Sequence, residues 1–130
     1  SCTKLEFLDL IYKIKNLKRK YGFNVIVGGP GVWQLYELKD KLGIDILYEG
    51  EAEITFPKII DDIIRGKPVK DIIIGETPRE DQIPPIVTPS RWGAVQIIRG
   101  CPRKCHFCSP TTWNFRSMPL STIMKEVKNQ

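Results

Sequence analysis

Several things are scarce in this chain of 130 residues. No apolar run approaches the roughly 18 residues a membrane-crossing helix needs, and no charged-then-apolar N-terminal segment marks a secretory signal. Histidine occurs once, as His106. Cysteine occurs four times, and Cys101, Cys105 and Cys108 stand together while only Cys2 is remote. That distribution argues against the disulfide framework of a small secreted protein. Clustered thiols fit a reducing cytoplasm, where they more often bind metal, so a cytoplasmic location is expected.

What is present is globular in balance: 42% hydrophobic and 27% charged residues, enough for about one domain's worth of core. The net charge is +5. Much of it comes from Lys13, Lys15, Lys18, Arg19 and Lys20, which crowd the C-terminal half of one predicted helix and there favour the helix dipole. No aromatic residues are interleaved among them as a stacking platform for single strands requires, so charge alone is weak support for a nucleic-acid partner. The chain opens on Ser1 and closes on Lys128-Asn129-Gln130 in mid-pattern, without a glycine cap. A piece of a longer protein is therefore expected.

Along the chain, helical and strand patterns alternate. Phe7, Leu10, Ile11, Ile14 and Leu17 recur at helical spacing and predict a helix over residues 5–21, ended by Gly22. Short apolar strands are expected at 24–27, 44–48 and 71–75, with helices at 32–42 and 55–65 between them. Pro57 suits the first turn of the latter helix, where a missing amide proton costs little. Such alternation predicts an α/β fold with a parallel, Rossmann-like sheet, and ligands of these sheets bind at the carboxyl ends of the strands. Two loops fall there: Gly28-Gly29-Pro30-Gly31, and Glu49-Gly50-Glu51-Ala52-Glu53. Residues 76–91 carry Pro78, Pro84, Pro85 and Pro89 and read as a linker or extended crossing segment. Residues 94–98 then read as a buried strand and 120–127 as a helix with Leu120, Ile123, Met124 and Val127 on one face. This reads as one β-α unit, of the kind that would begin a partial TIM-type barrel, with the cysteines on the loop at the carboxyl end of its strand, the edge where such barrels place their active sites.

The cysteines run C-x3-C-x2-C in Cys101-Pro102-Arg103-Lys104-Cys105-His106-Phe107-Cys108. Three thiolates from one short loop can hold three irons of a four-iron, four-sulfur cluster and leave the fourth open. This spacing, with Phe107 before the last cysteine and Arg99-Gly100-Cys101-Pro102 leading in, resembles the signature of the radical S-adenosylmethionine enzymes. The resemblance implies that Cys101, Cys105 and Cys108 ligate a 4Fe-4S cluster, that S-adenosylmethionine chelates the open iron, and that Phe107 packs on the adenine side. It also implies reductive cleavage of the sulfonium to a 5'-deoxyadenosyl radical, with electrons from an external donor such as ferredoxin or flavodoxin. No catalytic residue beyond the cluster ligands is expected within this chain, and the substrate, whether a small molecule or a macromolecule, lies outside what these residues encode.

The front half is similar to the second half of the cobalamin-binding domain that precedes the radical domain in one branch of that superfamily. The match rests on Val25-Ile26-Val27-Gly28-Gly29-Pro30 and Tyr48-Glu49-Gly50-Glu51-Ala52-Glu53. It implies that Gly28, Gly29, Glu49, Gly50 and Glu51 lie near a corrin or at the domain junction, with Ser1-Cys2-Thr3 facing the cobalamin nucleotide tail. The Asp-x-His-x-x-Gly segment that supplies an axial histidine in some cobalamin proteins is not in this sequence. The expected organisation is thus residues 1–75 from a cobalamin-binding-type domain, 76–91 a linker, and 92–130 the start of the radical domain. The expected function is radical chemistry on an unactivated carbon, methyl transfer if cobalamin is bound.

Alternatives remain beside this. A methylthiotransferase acting on RNA has a similar radical loop, but its front domain uses three further cysteines, and only Cys2 lies upstream here. A structural zinc site could draw on the three cysteines with His106 or Cys2, although His106 sits awkwardly between two of the thiols. A ferredoxin-like electron carrier would need Cys2 as its fourth cluster ligand.

Overall fold

The computed structural model describes residues 4–103, 105–108 and 114–130, with the side chains of residues 4 and 5 left aside. In chain order its elements are α1 (Lys4–Tyr21), β1 (Ile26–Gly28), a 3₁₀ segment (Val32–Leu38) running into α2 (Lys39–Leu42), β2 (Ile46–Glu49), α3 (Thr55–Ile64), β3 (Ile72–Ile74), β4 (Ile98–Arg99), β5 (Arg116–Ser117) and α4 (Leu120–Asn129). The chain divides into two compact units that do not follow its order. One comprises Ser1–Glu49 with Val69–Ile74, the other Gly50–Pro68 with Gly75–Gln130.

The first unit is built on a three-stranded sheet, β1-β2-β3, parallel throughout. The α/β, Rossmann-like expectation is met. β2 is central and its Ile46, Leu47 and Tyr48 are buried, Leu47 completely. Ile72 and Ile74 of β3 are exposed while Ile73 between them is part-buried, because alternate residues of a strand point to opposite faces and these two share the less covered one. The core gathers Ile11 of α1 with Val25, Val32, Ile44 and Leu47, and Phe7 and Ile14 pack against it. Leu10 and Leu17, also read as core-facing, are about half exposed: positions 7, 11 and 14 share one narrow stripe of the helix. Asp45 ties the unit together. Its carboxylate accepts the Val25 amide at 2.7 Å and the Lys18 ammonium at 2.6 Å, which joins α1 to the entry of two neighbouring strands.

The helix expected over 32–42 is only partly an α-helix. Its first seven residues are 3₁₀ and one α turn follows. Gly31 precedes it without a side-chain cap. Val32 is buried and Leu35 packs on the core, and an i, i+3 pair stacks directly in a three-residue turn.

The second unit has a different character. The strand expected at 94–98 is corrected: only Ile98–Arg99 forms strand, paired antiparallel to Arg116–Ser117, and Ile97 and Ile98 are more than half exposed. A buried parallel strand needs neighbours on both sides, and among the described residues β4 has β5 alone. The helix at 120–127 forms, and runs to Asn129, but its expected inward face is largely outward. Leu120, Met124 and Val127 are exposed, while Glu126 is 1% exposed. The Glu126 carboxylate accepts the amides of Ile86 (2.9 Å) and Gln96 (2.7 Å). Residues 76–91 hold one short 3₁₀ turn, Glu80–Gln82. Pro78 and Ile83 of that stretch are buried in this unit.

Candidate functional site

The cysteine loop is the turn of a hairpin. Arg99 and Arg116 face each other across the β4–β5 pair, and the residues between them carry the three thiols. Gly100, with φ +82°, starts the loop, and an added Cβ there would lie 2.2 Å from the Asn114 carbonyl oxygen. Cys101, Cys105 and Cys108 are free thiols, the first two half-buried and the third exposed. The Cys108 amide donates to the Cys105 carbonyl at 3.0 Å. His106 is exposed and Phe107 is 94% exposed. Among the described residues no three His, Cys, Asp or Glu side chains are gathered closely enough to hold a metal ion. By its chemistry, three free thiols within one loop, the donor set suits an iron–sulfur cluster. Lys104 within the loop and residues 109–113 lie outside the described residues, as do Ser1, Cys2 and Thr3 and the readings placed on them.

Below the loop lies a network of charge that no sequence pattern announces. Two like charges directly opposite on paired strands repel, and here both are arginines. Glu51 resolves this. Its carboxylate is buried and takes Arg116 Nη2 on Oε1 and Arg99 Nη1 at 2.8 Å on Oε2. Arg99 Nη1 also donates to Glu53 Oε1, and its Nη2 donates to Gln96 at 3.0 Å. Arg116 Nη1 donates to the Pro78 carbonyl at 2.5 Å. Glu53 Oε2 is buried with no hydrogen-bond partner among the described residues. No local signal connects these groups, for Glu51 is 48 positions from Arg99 and 65 from Arg116.

Burial would by itself push the Glu53 carboxyl up. The Arg99 hydrogen bond, a backbone hydrogen bond and the charges of Arg99 and Arg116 outweigh it and hold the group below the ordinary 4.5. A carboxyl depressed in the folded state adds stability above the unfolded value and loses it as the pH falls through the folded one. Glu53→Gln should therefore lower the urea midpoint by a constant amount above about pH 5, with the gap to wild type closing below about pH 4.5. Paired urea titrations from pH 3.5 to 7 check this.

The residues read as lining a second cofactor are placed as follows. Gly28, Gly29 and Glu49 stand together at the carboxyl edge of β1 and β2, since Gly28 pairs with Tyr48. An open cleft of about 440 Å³ adjoins Gly28, lined by Phe7, Leu8, Val27, Pro30 and Leu35 among others. Gly28 has a reason of its own: an added Cβ would come 3.1 Å from the Tyr48 carbonyl oxygen. The Tyr36 hydroxyl donates to Glu49 at 2.5 Å, which raises the phenol above its usual range. Gly50 turns with φ +94° beside Gly75, and Glu51 is engaged by the two arginines. The carboxylates of Glu49 and Glu51 thus serve protein partners, and of the residues read as lining a second cofactor only Gly28 and Gly29 stand beside the cleft with no such engagement of their own.

The class defined so far is an α/β protein carrying a free-thiol loop on a clamped hairpin. Comparison with known proteins narrows it. The chain is 32% identical, over 77% of its length, to an uncharacterized methyltransferase of Synechocystis sp., of which it covers 20%. It is 30% identical over 96% of its length to a tRNA-2-methylthio-N(6)-dimethylallyladenosine synthase of Phocaeicola vulgatus, and 32% identical over 87% to the synthase of the same name from Shewanella frigidimarina. The chain spans between 20% and 28% of the length of these relatives. No family profile and no solved structure matches it. Among the described residues no helix is long and apolar enough to cross a membrane.

Proposed function

We propose that this chain is the cluster-loop segment of a radical S-adenosylmethionine enzyme, with Cys101, Cys105 and Cys108 as the ligands of a 4Fe-4S cluster. The observation that carries the reading is the three free thiols between the two arms of one hairpin, together with similarity to the named synthases over most of the chain. When bound, such a cluster supplies the electron that cleaves S-adenosylmethionine. The chain's own contribution is to present three thiolates from one loop, begin it at a glycine that lets its ends come close, and fix its stem. Phe107, largely exposed, is the residue assigned to the adenine side.

Within that chemistry the relatives' names favour addition of a methylthio group to a tRNA base over cobalamin-dependent methyl transfer. tRNA is then the substrate, a ferredoxin or flavodoxin the electron donor, and the cytoplasm the place of action. The cobalamin reading stands second, favoured by Gly28, Gly29 and Glu49 sharing one carboxyl edge beside a cleft.

The test uses the full-length enzyme, reconstituted anaerobically with iron and sulfide and reduced. An electron paramagnetic resonance signal of a four-iron cluster that shifts when S-adenosylmethionine is added supports the assignment. Retention of stoichiometric zinc with no cluster signal overturns it. Mass spectrometry of tRNA nucleosides after turnover then decides the substrate: a methylthiolated adenosine supports the tRNA reading, and its absence alongside an active cluster sinks it.

A further inference from the structure

We propose that Glu51, with Glu53, is a positioning residue for the cysteine loop: its buried carboxylate clamps both arms of the hairpin through Arg99 and Arg116, so that the first cysteine is held in a fixed relation to the loop's return. The cluster half of this inference rests on the function proposed above; the clamp itself does not.

The geometry has three parts. First, Arg99 stands two residues before Cys101, and Arg116 closes the same loop from the other side, as register partners in a strand pair only two residues long. A ladder so short holds little by itself. Second, the two guanidinium groups face each other across that pair, which opposes pairing unless an anion comes between them. Glu51 accepts one on each oxygen. Its side chain is 6% exposed and that of Arg116 5% exposed, so the charges meet away from water, where loss of one partner is strongly unfavourable. Third, the clamp extends outward. Glu53 takes a second bond from Arg99, and the Pro78 carbonyl fixes Arg116. The two later carboxylates of the Glu49-Gly50-Glu51-Ala52-Glu53 run are thereby assigned to holding the stem instead of to a ligand, while Glu49 is separately engaged by Tyr36.

The experiment uses the full-length protein as wild type, Glu51→Gln and Glu51→Asp. Amide hydrogen exchange is measured without iron, and bound iron and sulfide after anaerobic reconstitution. Glu51→Gln is expected to speed exchange at residues 96–100 and 114–118 about tenfold, leave residues 26–28 and 46–49 unchanged, and retain severalfold less iron with a broadened cluster signal. Glu51→Asp should recover part of both losses. Exchange at the stem and iron retention equal to wild type would overturn the proposal, as would faster exchange spread equally over the parallel sheet, which marks a purely global loss of stability. A wild type that takes up no iron while Glu51→Gln still loosens the stem supports the clamp and overturns the cluster reading, which separates the two.

Discussion

Replacing Gly100 with alanine should open the stem of the cysteine loop by roughly thirtyfold or more, the equivalent of at least about 2 kcal/mol. Two effects combine. The backbone at Gly100 lies at φ +82°, in the left-handed region, where a residue bearing a Cβ costs about 1–2 kcal/mol. The added methyl would also sit 2.2 Å from the Asn114 oxygen and 2.7 Å from its carbonyl carbon. Both are backbone atoms on the returning arm, so the contact cannot be relieved by rotating a flexible side chain. The arms must separate, and with them the pairing of Ile98 with Ser117 and the Met118 amide bond to Ile97. Exchange of the Met118 amide is the direct measurement. Protection as strong as in the wild type would refute the expectation. Gly29→Ala provides the contrast: its φ is +104° but nothing lies within 4 Å of an added Cβ, so it should show the conformational cost without the steric one.

Glu126→Ala should destabilise the second unit by about 2–4 kcal/mol: the change leaves two amide donors unsatisfied, each fully buried one would cost about 1–3 kcal/mol, and these two are only part-buried and so fall in the lower part of that range. Glu126 is nearly inaccessible on α4 and receives the amides of Ile86 and Gln96, which lie 40 and 30 positions away. These bonds attach two stretches, neither of which has a strand partner at those positions among the described residues, to one helix. Glu126→Gln keeps one acceptor but presents an NH2 group to the other donor, and should lose about half as much. Replacement of Lys125, one residue earlier and exposed, should change stability by no more than about 0.5 kcal/mol. Urea denaturation of the three variants checks the order. An alanine variant equal to wild type would show that water replaces the carboxylate at both amides.

These two positions mark where reading the chain succeeds and where it stops. Gly100 is legible as the turn before the first thiol because a glycine between an apolar run and a cysteine punctuates local structure. Its close approach to Asn114 is not, since the returning arm has no period and no hydrophobic alternation. Glu126 is misread. In an amphipathic pattern it falls on the polar side, with Leu120, Ile123, Met124 and Val127 as the natural buried face, yet the carboxylate is inside and most of that face outside. Local pattern weighs apolar side chains and is blind to two backbone amides, far away in sequence, that need an acceptor. The 3₁₀ course of 32–38 escapes detection for a related reason: Val32 and Leu35 are compatible with either helix, and packing on the core selects the tighter one.

The order of amino acids by itself determined the alternation of helices and short apolar strands, the parallel sheet that such alternation requires, the glycine turns, and three thiols carried within one short loop. These are properties of neighbours, set by backbone sterics and by hydrophobic period within a few residues. Only the tertiary structure decided that Arg99 and Arg116 would face each other, that Glu51 would lie between them, and that the acidic loop would serve the cysteine hairpin. Charged groups carry no period that names a partner, and a carboxylate 48 and 65 positions from its two guanidiniums acquires them only when folding buries it with Arg116, leaves Arg99 part-buried beside them, and makes the unpaired alternatives costly.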